Sequence, residues 1–283
     1  MENINEWLEE IDCEGKLELM SSKESPIKYY RLKSSMHSGV VVDFSEKEEA
    51  FKPFLKLNLP LYDAGVTVPK VFTYNREEPF VFMEDLGSTH LCDINSSDFE
   101  LFYDKAIDAI VQMQNAETEE LKDYDEVALR EEIRLEKILN EEELQSVEDS
   151  IGFIIKELLS QPQDVFVHRD YQAKNLMFNC NDSIVVTEYY GAKIGAITYD
   201  LASLLKDVTI ELNAETVERL ALSFKDKKGV DADNETFLKW FDFSAMHQHL
   251  TQIDENKLAI KYLIETASKY SETKALAELL KEK

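Results

Sequence analysis

Two short apolar β runs, Val165–Val167 and Ile184–Thr187, stand on either side of an acidic loop, and together they limit this chain's fold more than any other feature. The first run ends in Val167 and passes directly into His168-Arg169-Asp170-Tyr171-Gln172-Ala173-Lys174-Asn175. The second ends on Glu188, within Val186-Thr187-Glu188-Tyr189-Tyr190-Gly191. A carboxylate, Asp170, is thus followed five positions later by an amide, Asn175, and after the next strand by a second carboxylate. Taken alone, Asp170 and Asn175 read as turn residues, since short polar side chains bond readily to nearby backbone. The order strand, acid loop, strand, acid is far more specific than either piece.

The rest of the chain divides around this block. The first ninety or so residues alternate β-rich runs with turns, at Lys16–Met20, Lys28–Lys33, Gly39–Phe44, Lys70–Tyr74 and Pro79–Met83, which predicts a small antiparallel sheet. Between the third and fourth runs, Glu46 to Ala64 is mostly helical but carries Pro53 and Pro60, so one interrupted helix on the sheet is expected. After Gly87 the spacing turns helical, and Ser97-Asp98-Phe99-Glu100 forms a capping box ahead of an apolar face of Phe99, Phe102, Ala106, Ile110 and Met113. Further helices are expected at Glu126–Leu139, Glu141–Leu159, Asp200–Leu212, Ala214–Phe224, Asn234–Gln252 and Glu255–Tyr270. The acidic stretch Thr118–Asp125 reads as a solvated connection. The expected architecture is α+β in two lobes, a β-rich lobe over residues 1–87 and a larger helical lobe over 88–283.

Composition narrows the partners. A net charge of −26 repels nucleic-acid backbones and anionic membrane surfaces at long range, so neither is expected as a partner. A small anion is still allowed, because a metal ion and a few local positive groups neutralise it within a Debye length. Cys13, Cys92 and Cys180 show no metal-ligand or redox spacing and read as reduced. No long apolar segment or basic-then-apolar leader is present, and a cytoplasmic location is expected.

Phosphoryl transfer needs a carboxylate beside the accepting hydroxyl, oxygen ligands for Mg²⁺, and positive groups on the phosphates. Asp170-x-x-x-x-Asn175 has the spacing of the kinase catalytic loop, and Glu188 stands where kinases place their second metal-binding acid. The chain resembles the aminoglycoside phosphotransferase and choline kinase superfamily, and within it the bacterial anomeric kinases of N-acetylmuramate and N-acetylglucosamine used in cell-wall recycling. The resemblance rests on His168–Met177 and on Gly195-Ala196-Ile197-Thr198-Tyr199-Asp200-Leu201-Ala202-Ser203-Leu204-Leu205, with weaker matches at Tyr29–Leu32, Val41–Asp43, Met83–Gly87, Trp240–Asp242 and His249–Leu250. It implies a protein-kinase-like fold with a hinge at 83–87, ATP and Mg²⁺ as cofactors, and a small-molecule acceptor. Asp170 would be catalytic, and Asn175 and Glu188 would hold the metal. The backbone around Glu84 and Leu86 would hold adenine, with Arg31 and Lys174 on the nucleotide side. His168 and Asp200 would brace the loop. The third strand lacks the phosphate-binding lysine of kinases, and Lys28 or Arg31 are its possible substitutes or else solvated strand residues. Ser21 to Pro26 occupy the turn where a glycine loop would lie, with phosphate contact by Ser22 to Ser25 a weak suggestion.

Three positions depart from the family's pattern: Glu188 stands for an Asp, Gly191 for a second acid, and Lys174 for an Arg. For the acceptor, Tyr171, Gln172, Tyr189, Trp240 and His249 are candidates either for sugar contact or for core packing. An N-acetylated amino sugar is the expected substrate. An aminoglycoside or choline is the alternative within the superfamily, and a degenerate kinase that binds nucleotide without transfer is the alternative outside catalysis.

Overall fold

The computed structural model describes residues 2–22, 24–34, 36–94, 99–119, 121–179, 181, 183–253 and 257–283. A five-stranded antiparallel sheet is built from β1 (Lys16–Leu19), β2 (Lys28–Lys33), β3 (Ser38–Asp43), β4 (Val71–Tyr74) and β5 (Phe80–Met83), in the order β1-β2-β3-β5-β4. A helix that the sequence pattern did not signal, α1 (Glu2–Glu10), covers one face, where Ile4, Trp7 and Leu8 pack with Leu32, Val41, Phe80 and Phe82. The other face takes α2 (Glu48–Asp63), whose Ala50, Phe54, Leu57 and Leu61 recur at helical spacing and meet Val40, Val42 and Val81. Contrary to expectation, α2 runs unbroken through Pro53 and Pro60. Phe54, Leu57 and Leu61, each contributing about 1.5–3 kcal/mol by burial, offset the lost backbone donors. Gly39 in β3 has no alternative: a Cβ there would lie 2.5 Å from the Phe82 ring and 2.7 Å from the Met83 carbonyl.

Downstream come β6 (Thr89–His90), α3 (Phe99–Met113), α4 (Glu126–Glu131), α5 (Glu141–Ser146), α6 (Glu148–Leu159), β7 (Val165–Val167), β8 (Leu176–Phe178), β9 (Ile184–Val186) and β10 (Lys193–Gly195). The chain then continues through α7 (Tyr199–Leu205), α8 (Ala214–Lys228), α9 (Asn234–Thr251), α10 (Lys257–Ala267) and α11 (Lys274–Leu280). The expected apolar runs are both strands, but they do not pair with each other: β7 pairs with β10, and β9 with β8. The expected helix at 126–139 stops at Glu131, and the one at 200–212 stops at Leu205. The expected helix at 141–159 divides into α5 and α6, with Val147 between them outside helical geometry. Nor is the stretch at 118–125 a solvated connection throughout, since Tyr124 donates to the Ile194 carbonyl and Ile194 donates back to Lys122, extending β10. Residues Ser97 and Asp98 of the expected capping box, Glu255 and Cys180 lie outside the described residues.

Two capped helices frame the lower part. The Asn213 side chain accepts from Thr216 at the start of α8, which ends at Gly229 in the left-handed region, and Asp233 caps α9. From Phe241 to Leu250 every residue of α9 is buried, so this helix is the axis of the helical core.

Candidate active site

The loop between β7 and β8 is held by two buried carboxylates behind it. Asp200, in the first turn of α7, accepts from the backbone N–H of His168 at 2.7 Å and of Arg169 at 3.0 Å. Burial pushes its carboxyl up to about 7, against the pull of those two donors. Asp207, just past α7, accepts from the N–H of Ala173 at 2.8 Å and from Thr209. One acid thus fixes the start of the loop and the other its end. Arg169 is driven to a φ of 76°, in the left-handed region that non-glycine residues seldom adopt. Its guanidinium donates to the Gly191 carbonyl, pairs with Glu132 and lies 4.9 Å from the Tyr124 ring centre.

His168 is occupied on both ring nitrogens. Its Nδ1 accepts from the N–H of Asp170 at 3.3 Å, so Nε2 carries the proton and donates to the Thr187 carbonyl at 2.6 Å. Burial pushes its pKa down, and a neutral ring suits this role. Asn175 follows in a short 3₁₀ turn, Ala173–Asn175, and its Nδ2 donates to Asp170 Oδ2 at 2.8 Å and to the Asp170 carbonyl at 2.9 Å. With the amide nitrogen turned to Asp170, the amide oxygen of Asn175 is left for another partner.

Glu188, two residues past β9, has φ 60°, ψ 20°, again left-handed, and the next three residues form a 3₁₀ turn. Tyr29 of β2 donates its hydroxyl to Glu188 Oε1 across the two halves of the molecule. Lys47, at the start of α2, sits over the Tyr190 ring at 4.6 Å and within 3.3 Å of its hydroxyl. Tyr29, Asn175, Thr187 and Glu188 line a cleft of about 410 Å³ together with Met83, Glu84 and Leu86 and the apolar Val40, Met177 and Val185. Oxygen donors and apolar side chains on one cleft suit a flat base joined to a polyphosphate. Ser21, Ser22 and Ser25 line the cleft on the β1–β2 side.

Several expected contacts are corrected by burial. Tyr171 is fully buried and donates to the Ala106 carbonyl at 2.9 Å. Tyr189, also fully buried, stacks on Phe54 and accepts from Asn58 at 2.8 Å. His249 lies inside α9's core with Nε2 on the Lys206 carbonyl, and Gln172 is buried as well. In this fold all four side chains are packed inside. The fork of Arg31 grips Asp85 at 2.6 and 2.9 Å and reaches the Gly87 carbonyl, so it braces the turn at 85–87. Lys28 is engaged with the Ser25 carbonyl and Glu46, while Lys174 is exposed on its turn. Lys47 and Asp207 carried no signal in the sequence reading, and Tyr29 stood there only in a weak match, with no role given to it.

The model of the phosphotransferase enzyme family matches residues 16–233, more than half of the chain and including the whole loop, Asp200 and Asp207. The chain belongs to this family. Among its relatives, an N-acetylmuramate/N-acetylglucosamine kinase of Pseudomonas aeruginosa is 30% identical over 82% of this chain and 73% of its own length. One of Neisseria meningitidis is 29% identical over 87% and 80%. Solved structures share the kinase-like fold. They include the choline kinase LicA of Streptococcus pneumoniae, with a TM-score of 0.68 at 14% identity, and the ADP-bound aminoglycoside phosphotransferase APH(2'')-Ib, at 0.66 and 17%; each alignment covers 98% of both chains. The phosphotransferase is thus an enzyme with a small-molecule acceptor and an ATP-type donor, and no helix among the described residues is long and apolar enough to cross a membrane.

Proposed function

We propose that the enzyme transfers the γ-phosphate of ATP to the anomeric hydroxyl of N-acetylmuramate or N-acetylglucosamine, in the cytoplasm where ATP is supplied. The observation that carries this reading is the similarity to two amino-sugar kinases over more than four-fifths of the chain. The likeness to choline and aminoglycoside enzymes, at 14–17% identity, speaks for the fold alone.

In this reading the two lobes meet at residues 83–87, and adenine lies in the cleft against that hinge. The N–H of Glu84 is taken by the Lys70 carbonyl, so the Glu84 carbonyl and the Leu86 N–H would hold the base. Arg31 stiffens that turn through Asp85. Asn175 and Glu188 supply an amide and a carboxylate oxygen on the same cleft wall, a hard donor set that fits Mg²⁺. When bound, Mg²⁺ would neutralise charge on the phosphates. Asp170, ordered by Asn175 and Asp200, accepts the proton of the sugar hydroxyl as its oxygen bonds to the γ-phosphorus and the bond to ADP breaks. His168, neutral and occupied on both nitrogens, positions the loop.

The test is a substrate comparison. N-acetylglucosamine and N-acetylmuramate should consume ATP, whereas the same sugars reduced at C1 should not. Equal turnover of the reduced sugars would overturn the anomeric assignment and leave phosphotransfer standing. Turnover of choline or an aminoglycoside alone would overturn the amino-sugar reading.

A further inference from the structure

A second cavity, of about 400 Å³, opens between α2 and the turn that follows Glu188. Lys52 and Lys56 of α2, Lys122 beside β10, and Lys193 of β10 line it, and among the described residues its lining includes no carboxylate. None of its lining residues belongs to the hinge cleft. In a chain with 57 acidic and 31 basic residues, four lysines around one cavity are a local reversal of sign, with Asp123, Asp125 and Glu131 placed in the adjoining hollow on the far side of Lys122 and Lys193. Among the described residues, Lys52, Lys122 and Lys193 join no ion pair. Lys193 is half-buried, and its ammonium sits 5.3 Å from the Tyr124 ring centre. Burial, then Arg169, pushes its pKa down, with Lys122 adding to the effect against the opposing pull of Asp125 and Glu131. Like charges within a Debye length of one another, about 8 Å at physiological salt, repel unless an anion lies between them.

We propose that this pocket is an anion site that takes a small phosphomonoester. Lysine ammonium groups bind phosphate as point charges, and the ester's charge of about −1.5 to −2 at neutral pH matches a multi-lysine cradle. Pro53, Leu57 and Leu121 add apolar wall, which a bare inorganic ion would leave unused and the organic body of an ester would cover. The long-range field of the acidic surface lowers the encounter rate, but the charged side chains among the described lining residues are all lysines.

The experiment is calorimetric titration of the full chain with glucose 1-phosphate, and separately with inorganic phosphate, at 0.15 M salt. Wild type should bind the ester at one saturable site and inorganic phosphate more weakly. Lys122→Ala and Lys193→Ala should each weaken the ester about tenfold. Lys274→Ala, which removes the same charge from the distant α11, should change nothing. Binding should persist under saturating N-acetylglucosamine and a non-hydrolysable ATP analogue. Absence of saturable binding to wild type, equal weakening by Lys274→Ala, or displacement by either competitor would overturn the proposal. Should Lys193→Ala fail to fold, the exposed Lys122→Ala carries the test. Because binding is read without turnover, failure of the kinase reading and failure of this one are separable.

Discussion

Asn175 donates its amide to the Asp170 carboxylate, and in the proposed mechanism this contact both orders the proton acceptor and fixes which atom of Asn175 would remain for a metal. Asp170→Asn keeps the shape of the loop but removes the acceptor, so phosphotransfer should fall about a hundredfold or more while ATP affinity stays near wild type. Steady-state rates beside a nucleotide titration check both halves, and near-wild-type turnover would remove Asp170 from the mechanism. Glu188 is the sharper case. Its carboxylate extends one methylene further than Asp, and a strained left-handed backbone together with the Tyr29 hydroxyl sets its position. A site adapted to this longer reach should lose Mg²⁺-dependent transfer entirely in Glu188→Ala and keep part of it in Glu188→Asp. Measuring rate against Mg²⁺ concentration in both variants decides the matter, and full activity in Glu188→Ala would show that the second acid lies elsewhere.

At the scale of elements, α7 and the segment after it carry the two acids that pin the catalytic loop. Asp207 is buried and accepts three hydrogen bonds, one of them from Ala173 in the 3₁₀ turn beside Asn175. Asp207→Ala leaves those donors unpaired, so the variant should lose about 2–3 kcal/mol of stability. Its kcat should fall about tenfold with little change in the KM for ATP, because the loop rather than the hinge is loosened. Urea unfolding with steady-state kinetics tests this, and an unchanged kcat would mean the loop holds without its second anchor. Asp170, Asn175 and Glu188, the residues proposed for the site, were singled out in the sequence because local spacing along one strand-loop-strand block marks them; in the fold Asn175 contacts Asp170 and shares a cleft with Glu188. Asp207 was not legible, because its partner is 34 residues away and nothing local marks it. Tyr29 meets Glu188 across 159 residues and was hidden for the same reason. The aromatic residues failed differently: a tyrosine with one apolar body and one polar tip reads alike in a pocket and in a core, and Tyr171 and Tyr189 satisfy their hydroxyls internally. The five sheet strands were readable from alternation, whereas α1 was not, since a short amphipathic helix gains its stability from the sheet it covers.

Across the whole molecule, α9 collects polar side chains that look solvent-facing in sequence yet lie inside, each with a partner. His247 contacts Tyr199 and the Leu129 carbonyl, Gln248 meets Ser203, His249 meets the Lys206 carbonyl, and Asp242 takes Lys269 and Tyr270. Burial pushes both histidines down to about 4. A histidine whose folded pKa lies below its unfolded value of about 6.5 contributes stability that is present above 6.5 and is lost as pH falls towards 4. At pH 5 the loss is about 2 kcal/mol per histidine. Asp200 runs the other way: its folded pKa is raised to about 7, so its contribution is present below about 4 and lost as pH rises towards 7. The raw pH profile therefore mixes opposing slopes, and a variant is needed to separate them. His249→Gln has no titrating ring but keeps an N–H for the Lys206 carbonyl, and Asp200 is unchanged in it. Urea midpoints of wild type and His249→Gln at pH 7 and pH 5 should then show the stability gap between them closing by about 2 kcal/mol on acidification. A gap that stays constant would mean that His249 is protonated in the fold at pH 5, and that the core around α9 admits a charge its packing is built to exclude.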